Sequence, residues 1–315
     1  MELPRNFFGA FIMTFERPEI ILKTIRDLRS QTFPPEYILI VDNSASFDTQ
    51  NVLKNLLSPS LEYHRVGYNS GPAGAARVGL SKVSEKGFQW IYWGDDDNPP
   101  GNPQVFEFFF ERIKKLEKLN VNLGIYGGKG GNINKLTGRI RSLKNSDLLN
   151  MDVVEVDMVA GGQNMLVKSI VVQKNILPEE SLFFGFEELD FCLKVKASGF
   201  KIYADAFSWY KIRLSAGNNS LKYRPVGSSF GNEERLIRDY YSTRNFMSIL
   251  KKYRLYLPLS FQLVKSMAKM FLGFKFGTSY GRKNLFLQMK AVRDFLKDDF
   301  SFKEIPTKSW KEFQN

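Results

Sequence analysis

Trp90-Ile91-Tyr92-Trp93-Gly94-Asp95-Asp96-Asp97-Asn98-Pro99-Pro100-Gly101 runs from an apolar, aromatic segment straight into three carboxylates, and two prolines and a glycine then bar a helix from following directly. This is the pattern of a buried strand that delivers acid at its exposed end. In an extended chain alternate side chains share a face, so Asp95 and Asp97 are expected to meet at one point while Asp96 faces elsewhere. Two converging carboxylates suit a hard divalent cation, Mg²⁺ above all, completed by the phosphates of a substrate. An acidic triplet in general sits in a solvated turn. The strand ahead of this one and the prolines behind it favour the metal-binding reading.

Working outward, Phe7 to Thr14 and Tyr37 to Val41 are two further apolar runs, the second followed by Asp42-Asn43-Ser44. Between them Arg17-Pro18-Glu19 opens a helix with Ile21, Ile25 and Leu28 on one face. A helix over 49–57 and a strand over 61–66 continue the alternation. Such a β-α-β-α order predicts an α/β fold, a mostly parallel sheet flanked by helices. Ligands of these sheets sit beyond the carboxyl ends of the strands, where Thr14, Asp42 and Asp95 to Asp97 all fall. An acid at a second strand end suits a ribose hydroxyl or a base N–H, which suggests a nucleotide beside the metal.

Asn69 to Gly79 is rich in glycine and alanine and leads into a helix from about Ala73 with Arg77 one turn in. Its small residues either admit a ligand to a helix N-terminus, with Arg77 on a phosphate, or pack the helix on the sheet. A helix over 104–119 and a strand over 123–126 follow, with Gly127 to Gly131 expected as a flexible loop. Ala160-Gly161-Gly162-Gln163-Asn164 leaves space for a bulky neighbour. Phe186-Glu187-Glu188-Leu189-Asp190 opens a helix ending near Ser198-Gly199, and its acids serve either as N-terminal helix charges or as a general base.

The 315 residues, 43% hydrophobic, suffice for one large domain or a domain with an appendage. The sole cysteine, Cys192, excludes an internal disulfide and fits a reducing compartment. The N-terminal apolar run is too short and wrongly flanked for a secretory signal, so the mature chain is expected to start near Met1. A formal charge of +12 points to anionic partners. There is no zinc spacing, Walker sequence or nucleic-acid signature, and nucleic acid is not expected as a partner. The only histidine, His64, excludes a multi-histidine metal site and lies on an expected strand, where a packing or surface role fits.

In order, Val41-Asp42-Asn43, Asn69 to Gly79, Asp95-Asp96-Asp97, Phe186 to Asp190 and Tyr240-Tyr241-Ser242-Thr243-Arg244-Asn245 resemble the inverting nucleotide-sugar glycosyltransferases of family 2. These have the GT-A fold, and the likeness is to their bacterial galactofuranosyl- and rhamnosyltransferase-like branch, from Phe8 to about Leu250. The resemblance implies nucleotide-sugar contacts at Thr14, Arg17, Asp42, Asn43, Arg77 and Asp96. It implies Asp95 and Asp97, the DXD pair, as ligands of Mn²⁺ or Mg²⁺, and Glu188 as the base, with Glu187 and Asp190 supporting it or binding acceptor hydroxyls. Some members of the branch complete the metal site with the histidine of a Trp-His pair. Here that pair is Trp209-Tyr210, and a protonated phenol is a poor metal ligand.

The expected division is a catalytic domain over 1–212, its nucleotide-sugar half about 1–100 and its acceptor half about 101–212. A flexible loop over 213–232 and a helical, basic region over 233–315 follow. In Leu259 to Gly273, Phe261, Val264, Ala268 and Phe271 share one face, and Gln262, Lys265, Ser266 and Lys269 the other. Lysines interrupt this helix, so it is expected to lie on protein or on a membrane and not to span one. Lys251, Lys252, Arg254, Lys275, Arg282 and Lys283 favour an anionic membrane surface at 251–283. The expected function is sugar transfer, from UDP-galactofuranose or dTDP-rhamnose first and UDP-galactose or UDP-glucose next, to a hydroxyl of a cell-surface or lipid-linked glycan. The expected location is the inner face of the cell membrane, peripheral and cytoplasmic, with a homo-oligomer left open. The competing classes are a metal-dependent sugar-phosphate nucleotidyltransferase and a non-catalytic glycan- or membrane-binding protein.

Overall fold

The computed structural model describes residues 7–162, 164–223 and 230–303. The chain begins β1 (Phe8–Thr14), α1 (Pro18–Arg29), β2 (Tyr37–Asp42), α2 (Asp48–Leu53), β3 (Leu61–Arg65), α3 (Gly71–Glu85), β4 (Trp90–Asp95) and α4 (Val105–Lys118). It continues through β5 (Leu123–Gly127), β6 (Gly130–Ile133), β7 (Ile140–Arg141), α5 (Asn145–Leu149), β8 (Val153–Glu155), β9 (Met158–Val159) and β10 (Met165–Lys168). Then come α6 (Ser169–Gln173), α7 (Glu187–Ala197), β11 (Lys201–Asp205), α8 (Ala206–Ser215), α9 (Leu236–Lys252), α10 (Tyr256–Leu272) and α11 (Thr278–Leu296). Two compact units result: one of Met1–Asn132, Ser142–Glu180 and Glu188–Arg224, the other of Ile133–Arg141, Ser181–Glu187 and Pro225–Asn315.

The first unit is built on an eight-stranded sheet in the order β3-β2-β1-β4-β10-β5-β11-β8. β1, β2, β3 and β4 run parallel, whereas β10 is antiparallel to β4 and β5, and β8 is antiparallel to β11. β1 and β2 are continuous apolar runs because both faces of the sheet are covered. Phe11, Met13, Leu39, Val41, Ile91 and Trp93 point into one core, which α3 completes with Ala75, Ala76, Leu80 and Val83. The alternate residues Phe8, Ala10, Ile12, Ile38, Ile40 and Tyr92 point into the other, filled by Ile21, Ile25 and Leu28 of α1 and by Phe106, Phe109 and Phe110 of α4. Each large side chain so buried contributes about 1.5–3 kcal/mol.

Gly127 to Gly131 do not form the expected loop. Gly127 ends β5, and Gly130 and Gly131 pair with Val159 and Met158. A Cβ on Gly130 would lie 2.6 Å from the Met158 carbonyl oxygen and one on Gly127 2.4 Å from Val159 Cγ1, so glycine here permits close strand approach. α2 ends at Leu53, short of Leu57, and α8 carries the helix through Arg213 to Ser215, inside the segment read as a loop. Part of that segment, 224–229, and the tail 304–315 lie outside the described residues.

In the second unit α9 and α11 enclose a core of Leu236, Tyr240, Tyr241, Tyr280, Leu287 and Ala291, joined by Phe183. Arg244 is wholly buried, donating to the Tyr240 hydroxyl at 3.3 Å and to the Leu182 carbonyl at 3.2 Å. Asn245 Nδ2 donates to the carbonyls of Leu182, Phe184 and Gly185 at 2.8–2.9 Å. These bonds hold a segment in which Phe183, Gly185 and Phe186 all adopt positive φ. α10 presents its faces the opposite way from a simple amphipathic helix. Ser266 is buried and donates to Gln288 Oε1 at 2.8 Å, and Gln262 Nε2 donates to the Thr137 carbonyl at 3.0 Å, while Val264 and Phe271 are exposed.

Candidate active site

β1 and β4 lie side by side with Met13 opposite Asp95, and β2 sets Asp42 opposite Thr14, so the three acidic or hydroxylic strand ends come to one edge of the sheet. The strand ends at Asp95 and the chain turns at Asp96 and Asp97, so the expected alternation stops there. Asp96 is wholly buried. Its carboxylate accepts from Thr14 Oγ1 at 2.7 Å and from Arg17 Nη2, and its carbonyl accepts from Thr24 Oγ1. Arg17 Nη1 also donates to Asp97 Oδ2 at 2.8 Å. Arg17 and Thr14 therefore engage the acidic turn itself, and Asp96 is its anchor. Burial pushes the Asp96 carboxyl up to about 7 despite the Arg17 charge and the Thr14 bond.

Asp95 lies against the turn between β9 and β10. A Cβ on Gly162 would fall 3.0 Å from Asp95 Oδ2, and one on Gly161 would fall 1.8 Å from Glu188 Oε1. Asn98 Nδ2 donates to the Gly162 carbonyl and pins this turn against the acidic segment. The antiparallel run of β10 beside β4, with Met165 opposite Trp93, brings it there. Burial, then the charges of Glu188, Asp97 and Asp96, push Asp95 up to about 8 against the pull of Arg17. Burial also raises Glu188 above the ordinary carboxylate range.

Glu188 stands one residue into α7, whose Phe191 ring packs on Trp93 at 5.7 Å between centroids. Glu187 and Asp190 are buried, and Lys194 pairs with Asp190 one turn on at 3.3 Å. Asp42 is also wholly buried, accepting from the Ser44 N–H at 2.8 Å and the Tyr63 hydroxyl at 2.7 Å. Asn43 ties β2 to the start of α3, donating to the Gly71 carbonyl at 3.0 Å and accepting from Ser70 Oγ at 2.8 Å. Gly71 needs its positive φ of 70°, and Gly79 lets α3 rest on the Phe11 ring, where a Cβ would fall 2.3 Å from it. The small-residue segment thus packs helix on sheet. Arg77 Nη1 donates to the Pro178 carbonyl at 3.2 Å.

Tyr210 lies on α8 and packs, half-buried, against the core, beside the fully buried Trp209. His64 sits half-buried on β3 opposite Val41. Asn98, Thr24 and Glu16 escape a reading of the sequence. Glu16 accepts from the Ala45 N–H at 2.7 Å, the Ser46 N–H at 3.1 Å and Ser46 Oγ at 2.7 Å, strapping the loop after β2. No periodicity marks a residue whose partner is a backbone group of a distant turn.

Among the described residues no three histidines, cysteines or carboxylates gather as an all-protein metal cage. Two carboxylates with substrate phosphates need no such cage. The donor chemistry fits a hard cation: Asp95 is an oxygen donor held among the charges of Glu188, Asp97 and Asp96, which the Arg17 charge opposes without overcoming.

The profile of Glycosyl transferase family 2 matches residues 10–171, slightly more than half of the chain. The GalNAc(5)-diNAcBac-PP-undecaprenol beta-1,3-glucosyltransferase of Campylobacter jejuni is 24% identical over 250 residues, covering 73% of this chain and 76% of that protein. Galactofuranosyltransferase GlfT1 of Mycobacterium tuberculosis is 24% identical over 116 residues, 36% of this chain and 38% of its own length. Among solved structures, the mannosyltransferase PcManGT from Pyrobaculum calidifontis, in complex with GDP-Man and Mn²⁺, aligns with a TM-score of 0.51 at 11% identity, over 94% of this chain and 88% of that one. At that identity the likeness is one of fold.

Proposed function

The chain belongs to Glycosyl transferase family 2, and on that premise we propose that it transfers one hexosyl residue, with inversion, from a nucleotide sugar to a hydroxyl of a lipid-linked glycan. The observation that carries the reading is the pair Asp95 and Glu188, two acids from distant parts of the chain enclosed against the Gly161-Gly162 turn. The relative that matches over most of its length acts, by its name, on a polyprenyl-diphosphate glycan, which supports the acceptor class. Its name also makes it a glucosyltransferase, while the galactofuranosyltransferase likeness is confined to 116 residues. UDP-glucose and UDP-galactofuranose therefore come first as donors, ahead of dTDP-rhamnose.

Glu188 takes the proton of the acceptor hydroxyl, and burial, by raising its affinity for protons, makes it a stronger base than an ordinary carboxylate. The acceptor oxygen then bonds to the anomeric carbon from the face opposite the nucleotide. The bond from that carbon to the phosphate oxygen breaks, and the electron pair leaves with the nucleoside diphosphate. Asp95 and Asp97 would hold Mn²⁺ or Mg²⁺, which supplies positive charge against the leaving diphosphate. Arg17 and Asp96 fix the turn that carries them.

The test is a donor panel of UDP-, dTDP- and GDP-sugars, with and without Mn²⁺, read first as thermal stabilisation and then as product. A cognate donor with metal raises the melting temperature, and a free nucleoside diphosphate is released with an acceptor. Glu188→Gln and Asp97→Ala each lower turnover by about 100-fold or more. Wild-type transfer by either variant, or pyrophosphate released from a nucleoside triphosphate, overturns the proposal.

A further inference from the structure

α10 turns its polar side chains inward. Gln262 and Ser266 are tied by hydrogen bonds to Thr137 and Gln288, and Asn284 Nδ2 donates to the Lys269 carbonyl at 2.7 Å. Burial, with the charges of Lys269 and Arg139 beside it, lowers the proton affinity of Lys265. The outward side carries Phe261, Val264, Met267 and Phe271, with Val264 66% and Phe271 71% exposed. Phe274 and Phe276 just beyond the helix, and Phe286 and Met289 on α11, are exposed as well. Bulky apolar side chains left in water on two successive helices mark a surface that something covers.

Charge identifies what covers it. From Lys251 to Arg293 the sequence holds ten lysines and arginines and no aspartate or glutamate. Asp294, Asp298 and Glu233, from outside that stretch, pair with Lys290 and Arg293, with Lys251 and with Lys283 respectively, and the balance of charge stays strongly positive. Apposing this surface with that of a second copy would bring two strongly cationic segments together, a repulsion that works against self-association. No helix among the described residues is long and apolar enough to cross a membrane. An outward row of Phe, Met and Val with a basic setting is the chemistry of a helix that lies in the plane of a lipid interface.

We propose that the outward faces of α10 and α11 dock on a bilayer bearing anionic headgroups. The apolar side chains enter the boundary between headgroup and acyl chain, and the lysines and arginines draw the surface to anionic lipid. Binding of this kind is weakened by salt.

Co-sedimentation of the full chain with vesicles tests the proposal without any sugar nucleotide, so its failure leaves the transfer reaction untouched. Vesicles of phosphatidylcholine with about 30% phosphatidylglycerol should bind the chain roughly 10-fold better than phosphatidylcholine alone, and binding should fall in about 0.5 M salt. Val264→Glu with Phe271→Glu should lower that partition about 10-fold or more while the melting temperature stays put, since both side chains already stand in solvent. Absence of binding to either vesicle overturns the proposal. So does a concentration-dependent dimer that the double variant abolishes, which would make the surface an interface between copies.

Discussion

A carboxyl group enclosed beside other carboxyls changes its charge with whatever lies between them, and Asp95 is the residue where this is measurable. Its folded value stands near 8, against an unfolded value of 3.8. The stability it contributes is therefore fully present below about pH 4 and is lost as pH rises through 8, because over that window the unfolded chain binds fewer protons than the folded one. Asp95→Asn removes the titration, so in chelator the variant should melt higher than the wild type at pH 8.5 and show no such gain at pH 4. Thermal melts at the two pH values decide it. Gly161 offers the matching steric test. Gly161→Ala places a methyl where Glu188 Oε1 now stands, and a displacement of about 1 Å costs on the order of 100-fold in turnover. Wild-type kcat in this variant would separate Glu188 from the chemistry.

At the scale of elements, the segment that leads into α7 is held by Asn245, whose two N–H bonds are shared among three carbonyls. Asn245→Ala should lower unfolding stability by about 1–3 kcal/mol, because buried carbonyls lose their donor. Asn245→Asp keeps the shape but not the donor and should be no better, which denaturant unfolding will show. The strands β1, β2 and β4 and the helices α1 and α4 were legible in the sequence because each states one signal: a continuous apolar run or a strict helical face. The reverse run of β10 between β4 and β5 was not legible. It is four residues long, and only the assembled sheet shows which neighbours it joins. The glycines of β5 and β6 misled for a related reason: glycine marks either freedom or close approach, and here Val159 and the Met158 carbonyl decide for approach. For α10 the sequence gives two faces but not which one turns inward. The hydrogen bonds of Gln262 and Ser266 settle that.

Over the whole molecule, the acids foreseen at strand ends do gather at one edge of the sheet, yet they divide by environment. Asp42 and Asp96 are buried and committed to protein donors, while Asp95, met there by Glu188 from the start of α7, faces the glycine turn. That division depends on tertiary enclosure, which residue spacing alone does not encode. Cys192 has a practical consequence of its own. It is the sole cysteine, it is wholly buried, and burial pushes its thiol up to about 12. The native chain is thus chemically silent toward maleimides and methanethiosulfonates at neutral pH. A cysteine introduced at position 264 or 271 would be the one reactive handle on the protein. A fluorophore or nitroxide there could measure how deeply the outward face of α10 sits in lipid, with no background thiol to remove.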